Sequence, residues 1–83
     1  VGKVLHYYPK AQVAHIRIKA REVHKSDDLL IIGKNTGVVE VDIQSLWVED
    51  QPAKKVTKGQ ECTIKLEDKV REGDKVYLWE DRD

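Results

Sequence analysis

The sequence predicts an all-β fold, a small six-stranded antiparallel β-barrel. Three observations point there. One short phrase occurs three times in 83 residues: Val23-His24-Lys25-Ser26-Asp27-Asp28-Leu29, Val56-Thr57-Lys58-Gly59-Gln60-Glu61-Cys62 and Val70-Arg71-Glu72-Gly73-Asp74-Lys75-Val76. Its small residue tolerates a tight or left-handed turn, and the Asp or Gln beside it can bond nearby backbone, a habit best attested for Asp. Its last apolar residue opens the next strand. The second observation is alternation with a period of two in several segments, and the third is the lack of any useful stretch with helical period.

Taken in order, residues 1–8 and 11–20 suit strands, with Pro9-Lys10 between them as the turn of a hairpin. Ala14, Ile16, Ile18 and Ala20 alternate with Val13, His15, Arg17 and Lys19, the mark of a strand with one wet face. In the first strand, His6 and Tyr8 share a parity opposite to Val1, Lys3, Leu5 and Tyr7. Residues 29–32 are a short apolar run, read as a buried strand, and Gly33-Lys34-Asn35-Thr36-Gly37 is a turn cluster. Residues 38–48 read as one strand in which Val39, Val41 and Ile43 face one way. The inward set then shifts to Leu46 and Val48, and a β-bulge near Gln44-Ser45 would restore the direction. Glu49-Asp50-Gln51-Pro52 stops that strand, and residues 53–58 are a connecting loop with room for one helical turn. Residues 62–66 and 75–80 complete the set of strands before a charged tail at 80–83. Closure into a barrel would remove exposed edges.

A chain this short is one domain, spanning 1–83, and buries only about 60% of its unfolded surface. Phe and Met are absent, so the interior must be Val, Ile, Leu and Ala. The chain opens at Val1 without an initiator, which reads as a domain excised from a larger protein. Lys plus Arg number 15 and Asp plus Glu 15, so the basic excess of a nonspecific nucleic-acid or membrane-surface binder is lacking. No stretch approaches the ~18 apolar residues of a membrane span. The single Cys62 excludes an internal disulfide framework and fits a reducing compartment, so a cytoplasmic location is expected.

Candidate chemistry is sparse. His6 and His15 would lie nearly opposite each other across the first hairpin, but a structural zinc site wants four ligands and spacing supplies no others. They are read as outer-face residues, and no metal or cofactor is expected. Cys62 keeps step with Ile64 and Leu66, which makes it a small buried hydrophobe rather than a reactive thiolate. No catalytic residue is assigned. Tyr7, Tyr8, Trp47, Tyr77 and Trp79 are all the aromatics, and most are expected to fill an interior otherwise short of large residues. The set His6, Tyr8, His15 and Arg17 is the candidate contact face.

The phrase from Val70 to Val76 resembles one in the second β-barrel domain of elongation factor Tu and related translation factors. The opening, Val1-Gly2-Lys3-Val4-Leu5-His6-Tyr7-Tyr8-Pro9-Lys10, resembles the start of the C-terminal domain of the U32 peptidases, the collagenase-like proteases. So do Ile31-Ile32-Gly33-Lys34-Asn35-Thr36-Gly37-Val38-Val39 and residues 69–77. The resemblance implies a barrel appended to a separate α/β catalytic domain. The cysteine-containing signature of that domain has no counterpart here, so no catalytic role carries over. It also implies a departure: Ser26-Asp27 stands where the family often has Gly-Asp, so that turn should take another geometry.

The function expected is that of a noncatalytic accessory domain of a U32-type peptidase, aiding substrate presentation or assembly of the parent enzyme. Its partners would be the parent's catalytic domain and a protein or peptide substrate, with no membrane. The alternative is an RNA- or tRNA-contacting module, by analogy with the translation-factor barrels.

Overall fold

The computed structural model describes residues 1–43 and 45–79. Ten strands form among them: β1 (Gly2–Tyr8), β2 (Val13–Ile18), β3 (Val23–His24), β4 (Asp28–Gly33), β5 (Gly37–Asp42), β6 (Leu46–Val48), β7 (Gln51–Pro52), β8 (Lys55–Val56), β9 (Glu61–Lys65) and β10 (Lys75–Trp79). The described residues include no helix, and none that could cross a membrane. All pairings are antiparallel. An eight-stranded sheet runs in the order β5-β4-β10-β1-β2-β9-β6-β7, and β3 pairs separately with β8.

The all-β class is therefore correct, but the closed six-stranded barrel is not what forms. No ladder joins β5 to β7. The β7 edge ends in Pro52, which has no N–H to donate to a further strand. The predicted strand 38–48 is divided: β5 pairs with β4 near one end of the sheet, and β6 pairs with β9 near the other. Asp42 and Leu46 are four peptide steps apart, a reach of at most about 15 Å at 3.8 Å per step. The sheet must curl until its two ends nearly face each other, open in its hydrogen bonding yet wrapped around one interior. Gln44, at the expected bulge, and the tail 80–83 lie outside the described residues.

Three further expectations are corrected by the chain's own geometry. The first hairpin loop is residues 9–12, because Gln12 adopts φ 54°, a left-handed conformation foreign to a strand. Residues 53–58 contain no helical turn; Lys55 and Val56 lie opposite His24 and Val23. In β1, Val4 pairs with Ile16 and His6 with His15, so Leu5 is an extra residue and the strand bulges there. Val4, which shares the sequence parity of His6 and Tyr8, is thereby fully buried, while His6 and Tyr8 beyond the bulge face outward. Tyr7 leans inward, and its hydroxyl donates to the Leu66 carbonyl at 3.1 Å.

The repeated phrase is one repeated device. In each copy a backbone N–H closes a turn onto a carbonyl three residues back: Asp27 to His24 (2.9 Å), Gln60 to Thr57 (3.0 Å) and Asp74 to Arg71 (3.1 Å). The closing residue's side chain then accepts from that earlier residue's own N–H, at 2.9 Å in all three copies. Gly59 and Gly73 take φ 90° and 92°, which the third position of a type II turn requires. Ser26 stays out of the left-handed region, as its side chain dictates. The apolar ends of the three copies, Val23, Leu29, Val56, Cys62, Val70 and Val76, are at most 2% exposed. Each turn thus plants two residues in the core.

That core is aliphatic: Ile16, Ile18, Leu29, Ile31, Leu46 and Ile64 are its largest buried side chains. The alternation read in residues 13–20 holds for Ala14, Ile16 and Ile18, which lie inside, but not for Ala20, which is exposed beyond the end of β2. The aromatics do not fill the interior. Tyr8, Trp47, Tyr77 and Trp79 stand on the outer surface, since branched aliphatics already occupy the space within the curl.

Candidate functional site

The strand registers set the outer face residue by residue. Residues paired across an antiparallel ladder point the same way. One transverse row therefore runs His6, His15, Thr63, Trp47, Pro52 across β1, β2, β9, β6 and β7. A second row runs Tyr8, Val13, Lys65, and a third Lys3, Arg17, Glu61. The four residues read from the sequence thus share one face, distributed over three rows.

They do not form one cluster. The His6 ring packs edge-on against Tyr8, centroids 4.5 Å apart and planes at 63°. His15 turns the other way, its Nε2 2.8 Å from Glu61 Oε1. Arg17 is exposed, in register with Glu61. His6 and His15 are register partners, yet each ring has a protein neighbour of its own. No group of three or more His, Cys, Asp or Glu among the described residues is placed to hold a metal ion.

Beside this face lies an open hollow of about 580 Å³, lined by Tyr8, His15, Glu49, Asp50, Glu61 and Thr63 among others. A second hollow of about 460 Å³ adjoins it over Val13, Trp47 and Lys65, sharing Asp50 and Thr63. Together they make a furrow across β9, with aromatic rings at both ends and carboxylates along one wall. Glu49 and Asp50 form the two-residue turn between β6 and β7, with φ 53° and 63°. Both positive values define a type I′ turn, whose twist suits a tight hairpin but which favours Asn and Gly. The strained turn hangs two carboxylates over the furrow.

Sequence reasoning missed Glu61, Thr63, Glu49 and Asp50. Parity marked Thr63 as outward in the strand 62–66, but the pairing of β9 with β2 is non-local and left no local signal. The Glu49-Asp50 turn was hidden because neither residue is a glycine. Cys62 takes no part: it is buried, and that burial pushes its thiol up to about 12.

Similarity to known proteins fits this architecture. No protein-family model matches the chain. It is 36% identical over 83 residues to a collagenase of Porphyromonas gingivalis, covering all of this chain and 23% of the relative. It is 38% identical over 78 residues to an uncharacterized protease of Methanocaldococcus jannaschii, covering 94% of this chain and 19% of that protein. The chain therefore spans about a fifth of the length of these relatives. Among solved structures it superposes on the C-terminal domain of a Geobacillus thermoleovorans protein described as a U32 peptidase. The TM-score is 0.87 at 17% identity, over 95% of this chain and 90% of that one. The selenomethionine variant of the same domain gives 0.82 at 18% identity, over 90% and 93%. The fold is that of these C-terminal domains, and the sequence relatives are named as proteases.

Proposed function

We propose that this chain is a noncatalytic accessory domain of a larger U32-type peptidase, and that its furrowed outer face receives peptide substrate. The observation that carries the reading is end-to-end similarity at 36% identity to a collagenase of which the match occupies only 23%. The furrow suits an extended peptide. Tyr8 and Trp47 offer flat apolar contact for proline or aliphatic side chains, and Gln60 and Thr63 offer hydrogen bonds. Glu49, Asp50 and Glu61 favour basic side chains on the ligand.

The same carboxylates weigh against the RNA reading, because they would repel phosphates and Arg17 stands opposite Glu61. The likeness to translation-factor barrels rests on the turn phrase alone.

Titration of the chain with gelatin and collagen peptides tests the proposal. Expected is binding without cleavage, weakened about tenfold by joint Tyr8→Ala and His15→Ala changes. Turnover by the chain that survives Cys62→Ala, or no binding at all, would overturn it. Binding to structured RNA that falls steeply with salt and with Arg17→Ala would favour the alternative.

A further inference from the structure

The outer surface of the sheet has two unlike halves. Over β1, β2, β9 and β6 it is mostly polar, and β2 shows the alternation of a strand wetted on one side. Over β5, β4 and β10 large apolar and aromatic side chains stand among charged ones, in the rows Val38, Ile32, Lys75; Glu40, Leu30, Tyr77; and Asp42, Asp28, Trp79. Ile32 lies opposite Val38, and Tyr77 opposite Leu30, with Trp79 next along β10. Ile32 is 39% exposed, Val38 65%, Tyr77 42% and Trp79 42%. The alternate residues Leu29, Ile31, Val41 and Val76 fill the core on the other side. The run Leu29-Leu30-Ile31-Ile32 is thus apolar on both faces, the pattern of a strand covered on both sides. Among the described residues, nothing covers the outer side of that run fully.

We propose that this half of the sheet is the seat of the larger body of the same polypeptide, an inference that rests on the accessory-domain reading. Size favours that occupant over a second copy. The four exposed side chains offer on the order of 300–400 Å², against roughly 800 Å² per partner in a stable complex of free proteins. A covalent link supplies an effective concentration in the millimolar range, so a small apolar patch suffices. The relatives, in which the match is 19–23% of the length, have the remaining body to supply. Permanent contacts are more apolar than transient ones. The half richer in exposed apolar side chains therefore docks, its Asp28, Glu40, Asp42 and Lys75 supplying the charged surround, and the polar furrow stays open to ligand.

Hydroxyl-radical footprinting of the full-length polypeptide and of the 83-residue chain tests this. Tyr77 and Trp79 should label at least about fivefold less in the full-length protein, while Tyr8 and Trp47 label equally in both. In the full-length protein, Ile32→Lys with Val38→Lys should return Tyr77 and Trp79 to the level of the short chain. Equal labelling of Tyr77 and Trp79 in a longer native polypeptide overturns the seat and leaves the accessory reading standing. A native polypeptide no longer than this chain overturns both. A concentration-dependent dimer of the short chain that shields Tyr77 equally well replaces the tethered body with a second copy.

Discussion

Gly33 and Asp74 are packed so closely that a Cβ on Gly33 would stand 2.0 Å from Asp74 Oδ1. Asp74 is the buried polar residue of the third turn phrase, only 6% exposed. Its carboxylate accepts from the Arg71 N–H and from the Thr36 hydroxyl. One side chain thus fastens the β4–β5 hairpin to the turn that launches β10. The contact needs a residue without a side chain at 33.

Gly33→Ala should destabilise the chain by about 2–3 kcal/mol, since the buried carboxylate cannot move aside without losing its donors. In a chain of this size that lowers Tm by on the order of 10–20 °C. In an Asp74→Ala background the same change should cost much less, because the clash is gone. Urea denaturation of the four proteins reads the coupling, and strict additivity would refute the contact.

The turn phrases should respond unequally to alanine. Gly59→Ala and Gly73→Ala force a Cβ into φ near 90° and should each cost about 1–2 kcal/mol. Ser26→Ala leaves a right-handed turn intact and should stay within about 0.5 kcal/mol. Thermal melts of the three variants check the ranking.

The Glu49-Asp50 turn holds two non-glycine residues at positive φ. Asp50→Gly should therefore raise stability, by about 1 kcal/mol. If the acidic furrow wall serves binding, the same variant should lose affinity for basic peptides. A melt and a peptide titration on one protein measure both effects.

Cys62 makes stability fall at alkaline pH. Its thiol ionises near 9 when exposed, and burial raises that to about 12 in the folded chain. Below pH 9 both states keep the proton and the contribution is complete. Above it the unfolded chain ionises first, so stability drains away as pH rises toward 12, by at most about 1.4 kcal/mol per pH unit. Cys62→Val should lose stability less steeply over that window in urea titrations; parallel curves would contradict it.

Much of this fold was legible because it is written locally. The turn phrases carry their own hydrogen-bond partners within four residues, so their positions and buried ends could be read directly. The alternation from Val13 to Lys19 likewise named its wet face. Strands of two residues, such as Val23–His24 and Lys55–Val56, have no period to detect; they exist because distant turns bring them together. The division of 38–48 was hidden for the same reason, since β5 and β6 look alike in sequence and differ only in their partners. His6, Tyr8, His15 and Arg17 could be placed on one face from parity, but the neighbours that shape the site, Glu61 above all, come from pairings far apart in the chain. The outward aromatics went against expectation because an aliphatic interior left no room for them.

The position of β10 between β4 and β1 has a consequence for how the chain matures on the ribosome. Among the described residues, 75–79 are the only strand that joins a two-stranded fragment, β5-β4, to a five-stranded one by ladder hydrogen bonds. A nascent chain halted before Lys75 holds two unjoined sheet pieces, each with an unsealed border where β10 belongs. Premature termination there would yield a sticky, chaperone-dependent product rather than a slightly shortened domain.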